Sequence, residues 1–461
     1  MKLNELLSVL KNPKVIGNTD KDIENIAYDS RKVGSHSLFI AIPGFVQDGT
    51  RFIPEAVKKG AVAVVTEKDI NAPSHVTKII VGSARKAQAR LANKFYNYPS
   101  RDLVMIAVTG TNGKTTTVHL LEHILRFAGK KVGMIGTVGA AIGKETISTG
   151  LTTPDSPDLQ ALLKDFKQRG ATHVVMEVSS HSLALHRVMG CEFDVAVFTN
   201  LTHDHLDFHK MMSNYISAKK KLFDWLGRYS KKHTVAIVNR DDTYGESMVE
   251  DYDGKIEEFS MKEAKIIKME LDSMEFEAHG LRIKTSLVGE YNVYNFLAAI
   301  RAALNLGIDA KVIEQALNNF EGVPGRFEKI NAGQPFSVIV DFAHSPDSLQ
   351  RLLKTIKGFA KGRIILVFGC PGDRDRTKRP MMGQIAFKLA DYSIITTDDP
   401  HFEKPELIIK EIEKGFISLK ANHKKYKTQA DRKRAIQGAL DMAKEGDVVI
   451  LAGRGHEKFQ D

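Results

Sequence analysis

Hydrophobic residues fall along the chain in short unbroken runs, and between the runs they recur at the spacing of one helical face. Runs at Ser37–Ile42 and Ala61–Val65, then Val104–Val108, Val132–Ile135, Val174–Val178, Val195–Thr199 and Thr234–Val238, and finally Val338–Asp341, Ile364–Phe368, Tyr392–Thr396 and Val448–Leu451, predict strands. The amphipathic stretches Phe52–Lys59, Val118–Phe127 and Ser348–Phe359 predict helices between them. Apolar runs buried on both faces and alternating with helices imply mostly parallel sheets, hence an α/β fold. The length of 461 residues suggests three domains. We expect a small N-terminal α/β domain over 1–100, a central domain on a parallel sheet over 101–324, and a Rossmann-like α/β domain over 325–461. The turn-rich Asn97-Tyr-Pro-Ser100 marks the first boundary.

The strand run at Val104–Val108 breaks into Thr109-Gly-Thr-Asn-Gly-Lys-Thr-Thr-Thr117 and then into the amphipathic stretch. A strand, a glycine loop and a helix make a phosphate-binding loop. Gly110 and Gly113 let backbone N–H groups of Thr111 and Asn112 turn inward, Lys114 brings a cation to β- and γ-phosphates, and Thr115, followed by Thr116, can bind Mg²⁺. Val108 stands where the full motif has glycine, so this is a shortened variant. Mononucleotide binding is the expectation for the central domain.

Composition narrows the partners. The chain is 43% hydrophobic and 26% charged, as in a globular protein, and no apolar run reaches the roughly 20 residues of a membrane span. Met1-Lys-Leu-Asn-Glu5 opens an amphipathic segment without a secretory core, so a cytoplasmic location is expected and no membrane partner. Cys191 and Cys370 form no paired motif and read as buried thiols. The net charge of +10 fits a nucleic-acid surface or small anionic substrates. Aromatic residues are not interleaved with the basic ones, which favours small anions over nucleic acid.

The residues past each central strand are rich in chemistry, where parallel sheets gather their ligands. Glu177 is an acid in an apolar strand, a natural Mg²⁺ ligand. His203, His205 and His209 follow Val195–Thr199. Alternation at the strand end would turn His203 and His205 to one side, and three readings stand open: a zinc site, one histidine on Mg²⁺, or polar packing. Lys219 lies four residues from both Tyr215 and Phe223, so it shares their stripe and points inward, while Lys220 and Lys221 read as a solvated face.

Taken in order, these motifs resemble the Mur ligases, the ATP-dependent amide-forming enzymes of cell-wall peptide assembly, and among them the branch that adds the third residue. The resemblance rests on Asp29-Ser-Arg31, Thr109–Thr117, Thr152-Thr-Pro154, Met176-Glu-Val-Ser-Ser-His181, Asn200-Leu-Thr-His-Asp-His-Leu-Asp207, Ala218-Lys219, Gly289-Glu-Tyr-Asn-Val-Tyr-Asn295, Gly322-Val-Pro-Gly-Arg-Phe-Glu328, Asp341-Phe-Ala-His-Ser-Pro-Asp347, Gly372-Asp-Arg-Asp375 and Gly453-Arg-Gly-His-Glu457. It covers nearly the whole chain.

The resemblance implies the following. Ser30 contacts the UDP moiety of a UDP-muramoyl-peptide, and Thr152, Thr153, Ser179 and Arg187 hold its sugar and peptide. Leu185 stands where some relatives have glutamine. Lys114, Thr115, Arg326 and His344 meet the phosphates of ATP, and Asn292 and Asn295 its adenine-ribose end. Thr115, Glu177 and His205 ligate Mg²⁺, joined by Lys219 as a carbamate made from CO₂. ATP converts the D-glutamate side-chain carboxylate of UDP-N-acetylmuramoyl-L-alanyl-D-glutamate into an acyl phosphate, which the amine of an incoming amino acid attacks. The C-terminal domain binds that amino acid through Arg374, Asp399, His401, Gly453 and Glu457. A monomer is expected, and relatives continue with a further helical segment past Glu457.

One departure concerns the substrate. Relatives that add meso-diaminopimelate carry Asp-Asn-Pro-Arg where this chain has Asp398-Asp-Pro-His401, and Pro371 replaces a glycine. An acid at Asp399 suits a distal ammonium and repels a carboxylate, so L-lysine is the expected amino acid. The alternatives are a diaminopimelate-adding ligase, an archaeal ligase of pseudomurein synthesis, a folylpolyglutamate synthetase, and a phosphate-loop NTPase switch with no amino-acid substrate.

Overall fold

In the computed structural model, which describes residues 1–44, 47–228, 231, 233–420, 425–457 and 459–460, the chain forms three α/β domains. The first contains five strands in the order Lys14–Ile16, Thr77–Ile80, Ala61–Thr66, Ser37–Ile40, Asn25–Ala27, parallel except for the first pair. Tyr28 ties this domain to the next, its hydroxyl donating to Asp158 at 2.5 Å, and Lys32 pairs with the same carboxylate at 3.1 Å.

The central sheet runs Lys255–Phe259, Val235–Asn239, Val195–Phe198, Val104–Thr109, His173–Glu177, Val132–Gly136, Gly139–Ile142, Glu145–Ile147. The first six are parallel, and the last two add an antiparallel edge. The expected strands are all present, displaced by a residue or so at their ends. His173–Glu177, Val195–Phe198 and Val235–Asn239 are buried along their whole length because helices cover both faces. Lys114–Phe127 turns Val118, Leu121, Ile124 and Leu125 into that core, and Glu290–Asn305 packs beside it.

A separate antiparallel sheet of Ala264–Met269, Met274–Ala278 and Leu281–Thr285 was not among the expected elements. Its second and third strands alternate buried with less buried positions, so one face packs on the core and the other meets water.

The C-terminal sheet has the order Glu328–Ile330, Ser337–Asp341, Val448–Ala452, Ile364–Phe368, Tyr392–Ile395, Tyr426–Thr428, with only the first pair antiparallel. Helix Pro346–Lys357 starts at Ser345, whose side chain and that of Ser348 cap each other's backbone. One continuous apolar cluster joins this domain to the central one, running from Ile106 and Ile124 through Phe296 to Ile339, Leu352 and Leu366. Among the described residues no helix is long and apolar enough to cross a membrane.

Candidate active site

The central and C-terminal sheets present the carboxyl ends of their strands to one cleft of about 1460 Å³. From the central sheet come Gly110–Thr116, Thr137, Glu177 and Asn200; from the C-terminal sheet come His344, Arg374, Asp398, Asp399 and Glu457.

Gly110 and Gly113 take φ values of 149° and 87°. A Cβ on Gly110 would lie 1.9 Å from Thr199 Oγ1, and one on Gly113 2.2 Å from Asn295 Oδ1, so neither position has room for a side chain. Asn200 fixes the loop by accepting from the Asn112 N–H at 2.9 Å and donating to the Asn112 carbonyl at 3.1 Å. Lys114 donates to the carbonyls of Gly110 and Thr111, both at 2.8 Å, which holds its ammonium inside the loop. The helix starting at Lys114 adds its unpaired N–H groups and dipole end.

Lys219 is 1% exposed and donates to the Gly110 carbonyl at 2.6 Å, with its ammonium 4.7 Å from the Tyr215 ring centre. Burial, with Lys114 close by, pushes its pKa well below the ordinary lysine value against the pull of Asp204. The inward orientation expected from the helical stripe is observed, and Lys220 faces out to Glu250 and Asp251. Glu177 is equally buried and accepts from the backbone N–H and hydroxyl of Thr137 at 2.8 and 3.1 Å.

The three histidines part company. The strand ends at Phe198, so no alternation extends to His203 and His205, and His205 itself has a φ of 56°. His203 reaches across the cleft to Asp375 at 3.1 Å. His205 and His209 gather instead around His181, ring centres 4.9 and 5.6 Å away. The expectation that His203 and His205 share a side is therefore corrected. Among the described residues no three His, Cys, Asp or Glu side chains form a metal site. Burial, opposed by the neighbouring Asp204, holds His205 well below the usual histidine pKa and leaves it a neutral donor.

Thr152, Thr153, Ser179 and Arg187 form one wall. The Thr153 hydroxyl donates to the Glu177 carbonyl at 2.9 Å and accepts from the Ser179 N–H at 3.2 Å; Arg187 donates to Asp155 at 3.1 Å and to the Thr153 carbonyl at 3.2 Å. Asn292 and Asn295 bond to each other at 3.0 Å behind Gly113. Arg326 lies against Phe342, 4.3 Å from the ring centre, and His344 Nδ1 bonds to the Phe342 carbonyl at 2.8 Å. Ser30 does not line this cleft: its hydroxyl donates to Glu55 at 2.9 Å within the first domain.

At the C-terminal end, Arg454 is ringed by acids, 2.9 Å from Asp399, 3.0 Å from Glu457 and 3.8 Å from Asp398. Asp398 Oδ2 has no hydrogen-bond partner. Burial raises the Glu457 pKa, Arg454 lowers it, and Asp398 and Asp399 raise it further, for a net upward shift. Gly453, at φ 108°, passes so close to Asp398 that a Cβ would sit 2.2 Å from its Oδ2. Arg374 is exposed on the cleft wall and His401 stands 3.9 Å from Asp399.

Three family models match in sequence: the Mur ligase family catalytic domain over 22–97, the Mur ligase middle domain over 108–303, and the Mur ligase glutamate ligase domain over 325–455. The chain is 45% identical to the UDP-N-acetylmuramoyl-L-alanyl-D-glutamate–2,6-diaminopimelate ligase of Caldanaerobacter subterraneus, over 100% of its length and 95% of the relative. The chain belongs to the Mur ligase family. The ligase of the same name from Geobacillus thermodenitrificans is also 45% identical, over the same shares of both chains. A solved structure of a ligase of that name matches this Mur ligase with a TM-score of 0.68 and 30% identity, covering 100% of this chain and 95% of the other.

Several residues that shape the cleft fall outside the residues expected from the sequence. Thr137 directly follows the strand Val132–Gly136, where the rule about strand ends would have found it. Asp398 and Arg454 lie inside the segments Asp398–His401 and Gly453–Glu457. Their signal was charge density within a short segment.

Proposed function

We propose that this Mur ligase, an ATP-dependent enzyme by family, joins 2,6-diaminopimelate to the D-glutamate side-chain carboxylate of UDP-N-acetylmuramoyl-L-alanyl-D-glutamate. The observation that carries the choice of amino acid is the Asp399–Arg454 pair. The expectation of L-lysine required Asp399 to act as a free negative charge, and Asp399 is instead paired with Arg454 at 2.9 Å. A distal carboxylate then meets Arg374 and His401, with Arg454 offsetting part of the acidic charge beside them. Relatives named for diaminopimelate support the same choice.

In this reading the carboxylate oxygen attacks the γ-phosphorus and ADP leaves. The amine then attacks the acyl carbon, loses a proton, and phosphate departs. Lys114 and Arg326 stabilise the charge on the phosphoryl oxygens. The residues present fit Mg²⁺, an ion that keeps water and phosphate oxygens and needs few protein ligands: the buried Glu177 carboxylate would hold it, joined by Thr115 and His205. When bound, Mg²⁺ neutralises phosphate charge. Lys219, held toward its neutral amine, is the group we assign to carbamylation, and His344 contacts phosphate. Asn292 and Asn295 face the nucleoside. Ser30, Thr152, Thr153, Ser179 and Arg187 hold the nucleotide-linked peptide, while Gly453 and Glu457 receive the amino acid's ammonium.

The test supplies ATP, UDP-muramoyl-dipeptide and either diaminopimelate or lysine, singly and together, and follows phosphate release and product mass. Phosphate release that requires all three substrates, with diaminopimelate preferred, is expected. Preference for lysine would return the charge argument to Asp399, and full hydrolysis of ATP alone would remove the ligase reading.

A further inference from the structure

Two loops that face the amino-acid end of the cleft are built around one buried guanidinium. The loop after strand Ile364–Phe368 carries Arg374, and the loop after Tyr392–Ile395 carries Asp399 and His401. Arg379 has no exposed surface, although arginine is seldom buried without a partner. Its two terminal nitrogens bind Glu403 as a fork, at 3.0 and 2.7 Å. Nη1 also reaches Glu411 at 2.7 Å, and Nη2 reaches the Pro371 carbonyl at 3.3 Å. Glu403 accepts two further donors, the Asp373 N–H at 2.7 Å and Arg376 at 2.6 Å.

Around this pair the loops are stitched directly. The Gly372 N–H donates to the Asp399 carbonyl at 2.7 Å, and the Phe402 N–H donates to Asp373 at 3.2 Å. A Cβ on Gly372 would lie 1.9 Å from the Pro400 carbonyl, so the backbones touch with no side chain between them. Asp373 and His401 both sit at positive φ, 51° and 46°, on either side of the stitch. Such conformations cost free energy in non-glycine residues and persist where surrounding contacts hold them.

We propose that Arg379 and Glu403 are positioning residues that lock the two loops in one register and so set where Arg374, Asp399 and His401 meet the incoming amino acid. The inference rests on the reading that these loops hold that amino acid. Neither residue needs to touch substrate. A fork between a buried arginine and a carboxylate fixes orientation as well as distance, which an ammonium or an amide in either place cannot reproduce.

Glu403→Gln is the first variant. It keeps the shape but turns an amide NH₂ toward the donors of Arg379, Arg376 or Asp373. Arg379→Lys is the second, keeping the charge and losing the fork. In the full chain, amide hydrogen exchange at Gly372, Asp373 and Phe402 should speed up in both variants while the amides of residues 110–114 keep their wild-type rates. In the ligase assay, KM for diaminopimelate should rise about tenfold, with KM for ATP and for the nucleotide within about twofold. Unchanged exchange in the two loops overturns the inference whatever the substrate proves to be. Faster exchange with an unchanged amino-acid KM, or parallel changes for all three substrates, overturns it too. A wild-type enzyme that joins no diamino acid removes the functional reading, and the substrate part of this inference goes with it.

Discussion

The guanidinium of Arg326, carried just ahead of the first C-terminal strand, donates from Nη2 to the Thr115 hydroxyl in the first turn of the phosphate-loop helix, at 3.0 Å. Two further bonds tie the same domains, Asn112 to Asp347 at 3.1 Å and His203 to Asp375 at 3.1 Å. The C-terminal domain thus reaches the phosphate loop through a cation. Arg326 Nε is buried without a hydrogen-bond partner.

Arg326→Lys should therefore fail as a replacement. Lysine keeps the charge but presents no planar fork to Thr115 and a phosphoryl oxygen together. Loss of one such donor costs about 10²–10³ in kcat. Steady-state kinetics at saturating ATP checks this, and a lysine variant within about threefold of wild type would show that only charge matters.

Lys219→Ala should remove ligation and leave ATP binding measurable. The vacated space lies beside Tyr215 and the Gly110 carbonyl on the lining of the cleft, so a small carboxylic acid can enter it and stand in for a carbamate. Partial recovery of ligation with added formate or acetate is expected. Recovery with methylamine instead would show that an ammonium is the working group.

The sheets were legible because apolar runs buried on two faces leave a periodic trace, and Lys219 because it shares a helical stripe with Tyr215 and Phe223. Relationships between distant segments left none. Asp399 looks like a free acid until Arg454 is brought to it, and no sequence pattern shows that the Ser30 hydroxyl donates to Glu55. His203 and His205 do not share a side because the strand ends at Phe198 and no alternation reaches them. The sheet around Met274–Ala278 and Leu281–Thr285 has a two-residue period rather than a continuous apolar run, because only one of its faces is buried.

Gly113→Ala tests the geometry of the loop. The φ of 87° and the 2.2 Å approach of a Cβ to Asn295 Oδ1 both oppose it, and Asn295 is buried and bonded to Asn292. Strain of about 1 kcal/mol or more is expected, together with weaker ATP binding. Thermal unfolding with and without ATP measures both, and an alanine variant with wild-type Tm and ATP affinity would show that the loop adapts freely.

Glu403 gives the protein an acid-sensitive contact. Its bond to Arg379 comes first, and with Arg376 and the Asp373 N–H it outweighs burial, lowering the carboxyl from 4.5 to about 2. A folded-state pKa below the unfolded value means stabilisation that is complete above about 4.5 and lost as the pH falls toward 2. The Tm difference between wild type and Glu403→Gln should shrink as the pH is lowered from about 6 to about 3. A difference that stays constant or grows contradicts the assignment.

Arg454→Ala probes amino-acid selection. Arg454 is the cation within 4.0 Å of Asp398, Asp399 and Glu457 together, and Asp398 Oδ2 already lacks a hydrogen bond. Removing it leaves three acids with less compensation at the end of the cleft that meets the amino acid. Repulsion of a second carboxylate and attraction of a second ammonium both increase, so the ratio of kcat/KM for diaminopimelate to that for lysine should fall by about tenfold or more. The two substrates are compared in competition in one reaction, which cancels any loss of folded enzyme. An unchanged ratio would mean that the acids around Arg454 face only the amine shared by both amino acids, and that discrimination resides in Arg374 and His401.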